Sequence, residues 1–69
     1  MPSSVIRRYH YNPDTETLRI EFVSGAVYDY LCVPRAVYED FQKWTSRGSF
    51  LSRFIKGRYR YMKIRDAED

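Results

Sequence analysis

The stretch TLRIEFVSGAVYDYLCV, Thr17 to Val33, decides the fold. Leu18, Ile20 and Phe22 alternate with Arg19 and Glu21, a period of two that marks a half-buried strand. AVYDYLCV reads as its partner, rich in β-branched and aromatic residues. What lies between them sets the register. A two-residue loop, Ser24-Gly25, pairs Val23 with Ala26 and carries Asp29 onto the face of Leu18, Ile20 and Phe22. A three-residue loop, Val23-Ser24-Gly25, pairs Phe22 with Ala26, Ile20 with Tyr28 and Leu18 with Tyr30. It needs a residue in the left-handed region, and Gly25 supplies one. Arg19 then faces Asp29 on the solvent side, a favourable cross-strand pair. A one-residue slip inverts every side chain, so the two registers exclude each other. The second keeps a charge out of the core and is the expected one. Tyr28 and Tyr30 then belong to the core face, with their hydroxyls reaching its edge.

Upstream, SVIRRYHY, residues 4–11, reads as a first strand. Asn12-Pro13-Asp14 is a turn signal. Downstream, VPRAVYEDFQKWTSRG predicts a helix, with Pro34 at its first position and Val37, Tyr38, Phe41 and Trp44 forming an apolar stripe. Gly48 is its expected stop. SFLSRFIKG predicts a second, short helix, capped by Ser49 and ended by Gly57. Its apolar face would hold Phe50, Leu51, Phe54 and Ile55. In RYRYMKIR, residues 58–65, the parity of Arg58, Tyr59, Arg60 and Tyr61 breaks at Met62. A bulge, or an extended segment without full pairing, accounts for the break. The expected fold is one α+β domain, with its core at about residues 4–61 and an acidic tail at 66–69. It comprises an antiparallel three-stranded meander packed by one amphipathic helix, then a short helix and an extended basic segment.

Sixty-nine residues with twelve aromatic rings make a small domain with a ring-rich core. A chain of this size buries only about 60% of its unfolded surface, so each large ring counts. No apolar run reaches the ~18 residues of a membrane helix. With a single cysteine and no apolar signal core, a cytoplasmic location is the expectation. The net charge of +3 hides an asymmetry. Residues 47–65 hold seven basic residues and no acid. The preceding 46 hold five basic and six acidic residues, and the last four hold three acids. Such a block suits an anionic partner.

The pieces YNPDTETLRIEFVSGAVYDYLCVPRAVYEDF and SRGSFLSRFIKGRY resemble the KTSC domain. The likeness is carried by Ser4 and Ile6, Leu18 and Phe22, Gly25, Tyr28-Asp29-Tyr30, Val33-Pro34, Val37-Tyr38, Ser46-Arg47-Gly48, and Ile55 with Tyr59. Asn12, Trp44 and Ser52 depart from the family's usual residues. The family occurs at the C-terminus of some lysyl-tRNA synthetases and as small stand-alone bacterial proteins. The resemblance implies a module without an established activity, and its synthetase context suggests RNA.

Catalytic chemistry finds little support. His10 and Cys32 are the only residues of their kinds. They lie near the ends of different strands, so a surface histidine and a buried apolar cysteine are expected. Two such residues are too few for a structural zinc site. Glu39 and Asp40 belong to a helix exterior. Gly25, Gly48 and Gly57 are isolated and form no phosphate loop. No cofactor is expected. The candidate nucleic-acid-binding residues are Arg47, Arg53, Lys56, Arg58, Tyr59, Arg60 and Tyr61. Cations draw phosphates and release counterions, while rings stack on unpaired bases. The expected function is a non-enzymatic module that binds RNA, either tRNA or single-stranded RNA, with low specificity. The alternative is a protein-interaction module using Trp44, Phe50 or Leu51, with weaker salt dependence. An unpaired strand edge also leaves room for weak homo-oligomers beside a monomer.

Overall fold

In the computed structural model, which describes residues 6–67, a four-stranded antiparallel sheet has the order β1-β2-β3-β4. The strands are β1 (Ile6–Asn12), β2 (Thr17–Phe22), β3 (Val27–Tyr30) and β4 (Tyr61–Arg65). Ser4 and the start of the expected first strand lie outside the described residues, as do Glu68 and Asp69 of the acidic tail.

The β2–β3 hairpin adopts the three-residue loop. Leu18 pairs with Tyr30, Arg19 with Asp29 and Ile20 with Tyr28. The Phe22 N–H donates to the Ala26 carbonyl at 2.9 Å, and the Gly25 N–H to the Phe22 carbonyl at 2.9 Å. Gly25 has φ 98°, a backbone conformation that side chains with a Cβ rarely adopt. Across the outer face, the Arg19 guanidinium donates to both carboxylate oxygens of Asp29, at 2.7 and 3.0 Å. The β1–β2 turn is held by the Asp14 N–H donating to Asn12 Oδ1 at 2.9 Å. Beyond it Arg7 and Arg8 are both turned towards Glu21, because a register shift between Ile6 and Arg8 inserts one extra residue in β1.

The sheet has four strands rather than three. The basic segment pairs with β3 as β4, and its alternation runs on through Met62, where a break was expected; the bulge comes two residues later. Tyr61 lies opposite Tyr30, Met62 opposite Asp29 and Lys63 opposite Tyr28, but Arg65 lies opposite Val27. Ile64 is therefore the extra residue, and it turns Arg65 to the outer face.

The helical layer also departs from expectation. α1 is Arg35–Lys43, shorter than the stretch predicted. Pro34 is its cap in extended conformation, not its first helical residue, and its carbonyl accepts from Val37 and Tyr38. Trp44 leaves the helix with ψ 149° and is 44% exposed, so it does not complete the stripe. The cause is Ser46. Its hydroxyl accepts the Ser49 N–H at 3.3 Å, which requires an extended backbone and starts a new helix at once. That helix, α2, is Arg47–Phe50, with Gly48 inside it and Ser49 as donor rather than cap. It continues as a π-helical segment, Leu51–Ile55, closed by the Lys56 N–H donating to the Leu51 carbonyl at 2.8 Å. Leu51 and Ile55 stay in the core, whereas Phe54 sits exposed at the rim.

The core comprises Tyr11, Leu18, Ile20, Tyr30, Val33, Phe41, Phe50, Leu51 and Ile55. Tyr11 stacks on Tyr38 with ring centroids 4.5 Å apart, and its hydroxyl donates to the Val33 carbonyl at 2.6 Å. Cys32 is exposed, not buried: at φ 56° it turns out as the chain leaves β3, and Val33 takes the core position. Burial pushes the Tyr30 phenol up to about 12, with the neighbouring Tyr28 and Tyr61 phenols acting in the same direction. Among the described residues no helix is long and apolar enough to cross a membrane.

Two outcomes test this packing. Gly25→Ala should cost about 1–2 kcal/mol, read as a Tm fall of roughly 5–15 °C, because only glycine tolerates the loop's backbone. The unfolded Tyr30 phenol ionises near 10.0 and the folded one at about 12. The folded state thus holds this proton more tightly. The resulting stabilisation is complete below the unfolded value and is lost as pH rises through the folded one. Urea midpoints should fall steeply across that window in the wild-type chain and less steeply in Tyr30→Phe.

Candidate nucleic-acid interface

The candidate residues sit on a short path from the π-helical segment into β4. Lys56 ends the segment in extended conformation, and Gly57, at φ 80°, reverses the chain. The N–H groups of Arg58 and Tyr59 both donate to the Ile55 carbonyl, at 3.1 and 3.2 Å. This double bond to one acceptor fixes the turn. Tyr59 drops back against the core, half-buried. The Arg60 carbonyl accepts from the Leu31 N–H at 2.8 Å and joins the turn to the sheet before β4 begins.

The side chains divide into three groups. Arg53, Lys56, Arg58 and Arg60 are exposed. Arg58 Nε donates to the Arg53 carbonyl at 3.4 Å, so these two belong to one cationic end of the molecule. Among the described residues no carboxylate pairs with Arg53, Lys56, Arg58 or Arg60. The ion pairs fall instead on Arg7, Arg8, Arg19, Arg35 and Lys63. Arg47 is not brought to this end. Its guanidinium lies 5.3 Å from the centroid of the Tyr9 ring in β1, at the opposite edge of the sheet from β4. Of the two tyrosines, Tyr59 anchors the turn and Tyr61 presents its ring: Tyr61 is 58% exposed.

Tyr61 also borders a feature that sequence reasoning did not anticipate. An open cleft of about 500 Å³ runs beside it, walled by Phe22, Tyr28, Tyr30 and Tyr61, with Lys56 and Gly57 at its rim. The Tyr61 centroid is 5.3 Å from that of Tyr28 and 5.9 Å from that of Tyr30. Phe22 meets Tyr28 edge-on at 5.7 Å. Lys56 Nζ lies 5.6 Å from the Phe22 centroid. The cleft exists because the helices place their rings elsewhere. Tyr38 and Phe41 of α1 contact Tyr9 and Tyr11 of β1, while Phe50 contacts Phe41. Lys63 lies opposite Tyr28 on the cleft side, bonded to Asp66 at 2.7 Å. That carboxylate holds the Lys63 ammonium above the ordinary lysine range. The signal that would have revealed the cleft was the pairing of Tyr61 with Tyr30, and it required knowing that residues 61–65 form a strand.

Tyr30 is buried and Tyr28 half-buried on the core face, as the register requires. His10 is exposed in β1, and Cys32 follows β3, which β2 separates from β1. Among the described residues no group of three or more His, Cys, Asp or Glu side chains could hold a metal ion. Of the residues expected at a protein interface, Phe50 and Leu51 are consumed by the core, and only Trp44 is exposed.

Comparison with known proteins places this geometry. The KTSC domain model matches residues 2–59. The chain is 41% identical over 61 residues to a lysine–tRNA ligase of Nostoc sp. and 43% identical over 61 residues to one of Nostoc punctiforme. Each match covers 88% of this chain but only 11% of the ligase, so the chain spans about a tenth of those relatives. An uncharacterized protein of Stutzerimonas stutzeri is 35% identical over 65 residues, covering 93% of this chain and 92% of the relative. The crystal structure of a KTSC domain protein from Yersinia pestis superposes with a TM-score of 0.86 at 35% identity, covering 94% of this chain and 92% of that one. With the family model spanning most of its length and relatives of its own size sharing more than a third of their residues, the chain belongs to the KTSC domain family.

Proposed function

We propose that this KTSC domain is a non-enzymatic module that binds RNA with low sequence specificity, through Arg53, Lys56, Arg58, Arg60 and Tyr61. One observation carries the reading: Arg58 and Arg60 are exposed beside an exposed Tyr61, with no carboxylate partner among the described residues. By contrast, Arg7, Arg8, Arg19 and Arg35 each face a carboxylate. Guanidinium groups bind phosphate with two parallel N–H donors, so two of them on one turn suit consecutive backbone phosphates. Tyr59 serves as the internal anchor that keeps both arginines outward, and Arg47, over Tyr9 at the opposite sheet edge, lies outside the site. The lysine–tRNA ligase relatives, named for a tRNA substrate, support the reading. Low specificity follows from the chemistry, since phosphate contacts position a strand without reading its bases.

The test is fluorescence anisotropy with total tRNA and with a single-stranded oligonucleotide. The wild-type affinity should fall as salt rises, with a log–log slope of roughly −3 for four neutralised phosphates. Arg58→Glu combined with Arg60→Glu should abolish binding and leave Tm almost unchanged, because both side chains are exposed. Wild-type binding no stronger than that of the double variant would overturn the proposal.

A further inference from the structure

The sheet of this domain is covered on one half and open on the other. On the covered half, α1 seats Tyr38 and Phe41 on Tyr9 and Tyr11, and α2 lays the Arg47 guanidinium over Tyr9. On the open half, the rings of Phe22, Tyr28, Tyr30 and Tyr61 contact one another, with Tyr30 buried in the core and Tyr61 exposed. A small domain that must bury its aromatic surface leaves these four around a cleft of about 500 Å³. That volume lies within the range of small-ligand sites, about 300–1,000 Å³.

We infer that this cleft takes one unpaired nucleobase of a single-stranded RNA, stacked on Tyr61, with a flanking phosphate drawn to Lys56. The inference rests on the RNA-binding reading and names the part of the RNA that the site holds. Three features select this ligand. Rings supply the larger side chains of the lining, beside Ser24, Ala26 and Ala67, and an aromatic wall favours a planar ring over an aliphatic chain. Tyr28, Tyr30 and Tyr61 carry phenol hydroxyls, which suit a ring with polar edges. The rim is cationic: Lys56 borders the cleft, and Lys63 projects from the same face opposite Tyr28. A paired base cannot present its face to Tyr61, so the site discriminates against duplex.

Asp66 adds a second element. Its carboxylate bonds Lys63 at 2.7 Å beside the cleft, although both groups are half or more exposed. An incoming phosphate competes with that carboxylate for the ammonium. Asp66 therefore weakens strand binding, and removing its charge strengthens it.

The experiment compares four RNAs against the full chain: a single-stranded decamer, its duplex, the same backbone made abasic, and a free mononucleotide. The wild-type chain should prefer the decamer to the duplex and the abasic strand, and bind the mononucleotide far more weakly. Tyr61→Leu should weaken decamer binding by about 5- to 100-fold, with the salt slope and duplex binding unchanged. Tyr61→Phe should restore most of the loss, since it keeps the stacking face. Asp66→Asn should tighten the decamer several-fold. Equal loss of decamer and duplex in Tyr61→Leu, or no loss at all, would overturn the nucleobase site while leaving phosphate-driven RNA binding intact. A mononucleotide that binds as tightly as the decamer would also overturn it, in favour of a free-nucleotide site. Failure of the wild-type chain to bind any of the RNAs would remove both readings together.

Discussion

The Phe22 N–H reaches the Ala26 carbonyl across a loop that only a residue with φ near 98° can close. That single closure selects one of two mutually exclusive registers for the hairpin. With it, Leu18, Ile20, Tyr28 and Tyr30 share one face, and Arg19 and Asp29 share the other. The core then forms under the helices without a buried charge. Tyr30 pairs with Tyr61 when β4 joins, so the same closure sets the position of the cleft. A slip of one residue would carry Asp29 onto the core face and turn Tyr28 and Tyr30 to solvent.

Coverage of the sheet is uneven for a reason of length. α1 and α2 with its π-helical extension together span about twenty residues and are bent apart by the Ser46 cap. The bend lets Phe50 meet Phe41 and brings Leu51 and Ile55 into the same core cluster as Tyr30. No third element is left for β4. Its open flank keeps Tyr61, Met62 and Ile64 in contact with solvent. A surface of this kind is costly for a small protein unless something binds it, because exposed aromatic area forfeits the burial that would stabilise the fold.

Charge is sorted on the same scheme. The outer face of β1–β3 is neutralised across strands, with Arg7 and Arg8 at Glu21 and Arg19 at Asp29. Each such exposed pair contributes little to stability, about 0–1 kcal/mol, but it cancels the field of its arginine. The turn after Gly57 is different. Both of its backbone N–H groups that point inward are spent on Ile55, and its side chains Arg58 and Arg60 project where no acid of the described chain follows them. Positive potential therefore concentrates beside the cleft that Tyr61 borders.

What the residues alone determined is what depends on neighbours along the chain. The alternation in residues 17–22, the glycine at position 25 and the Arg19–Asp29 complement settle strand, loop and register, because a sheet's period and a loop's backbone are local properties. The helix stop near Gly57 and the basic block of residues 47–65 were legible for the same reason. The helix boundary was not. Trp44 fits an i, i+7 stripe on paper, but Ser46 competes as a cap, and tertiary packing of Phe50 on Phe41 decides for the break. The fourth strand and the cleft were also beyond local reading. Their signal, the facing of Tyr61 and Tyr30 across 31 positions of sequence, exists only once β4 has docked, and the Ile64 bulge hides the alternation that would have announced it.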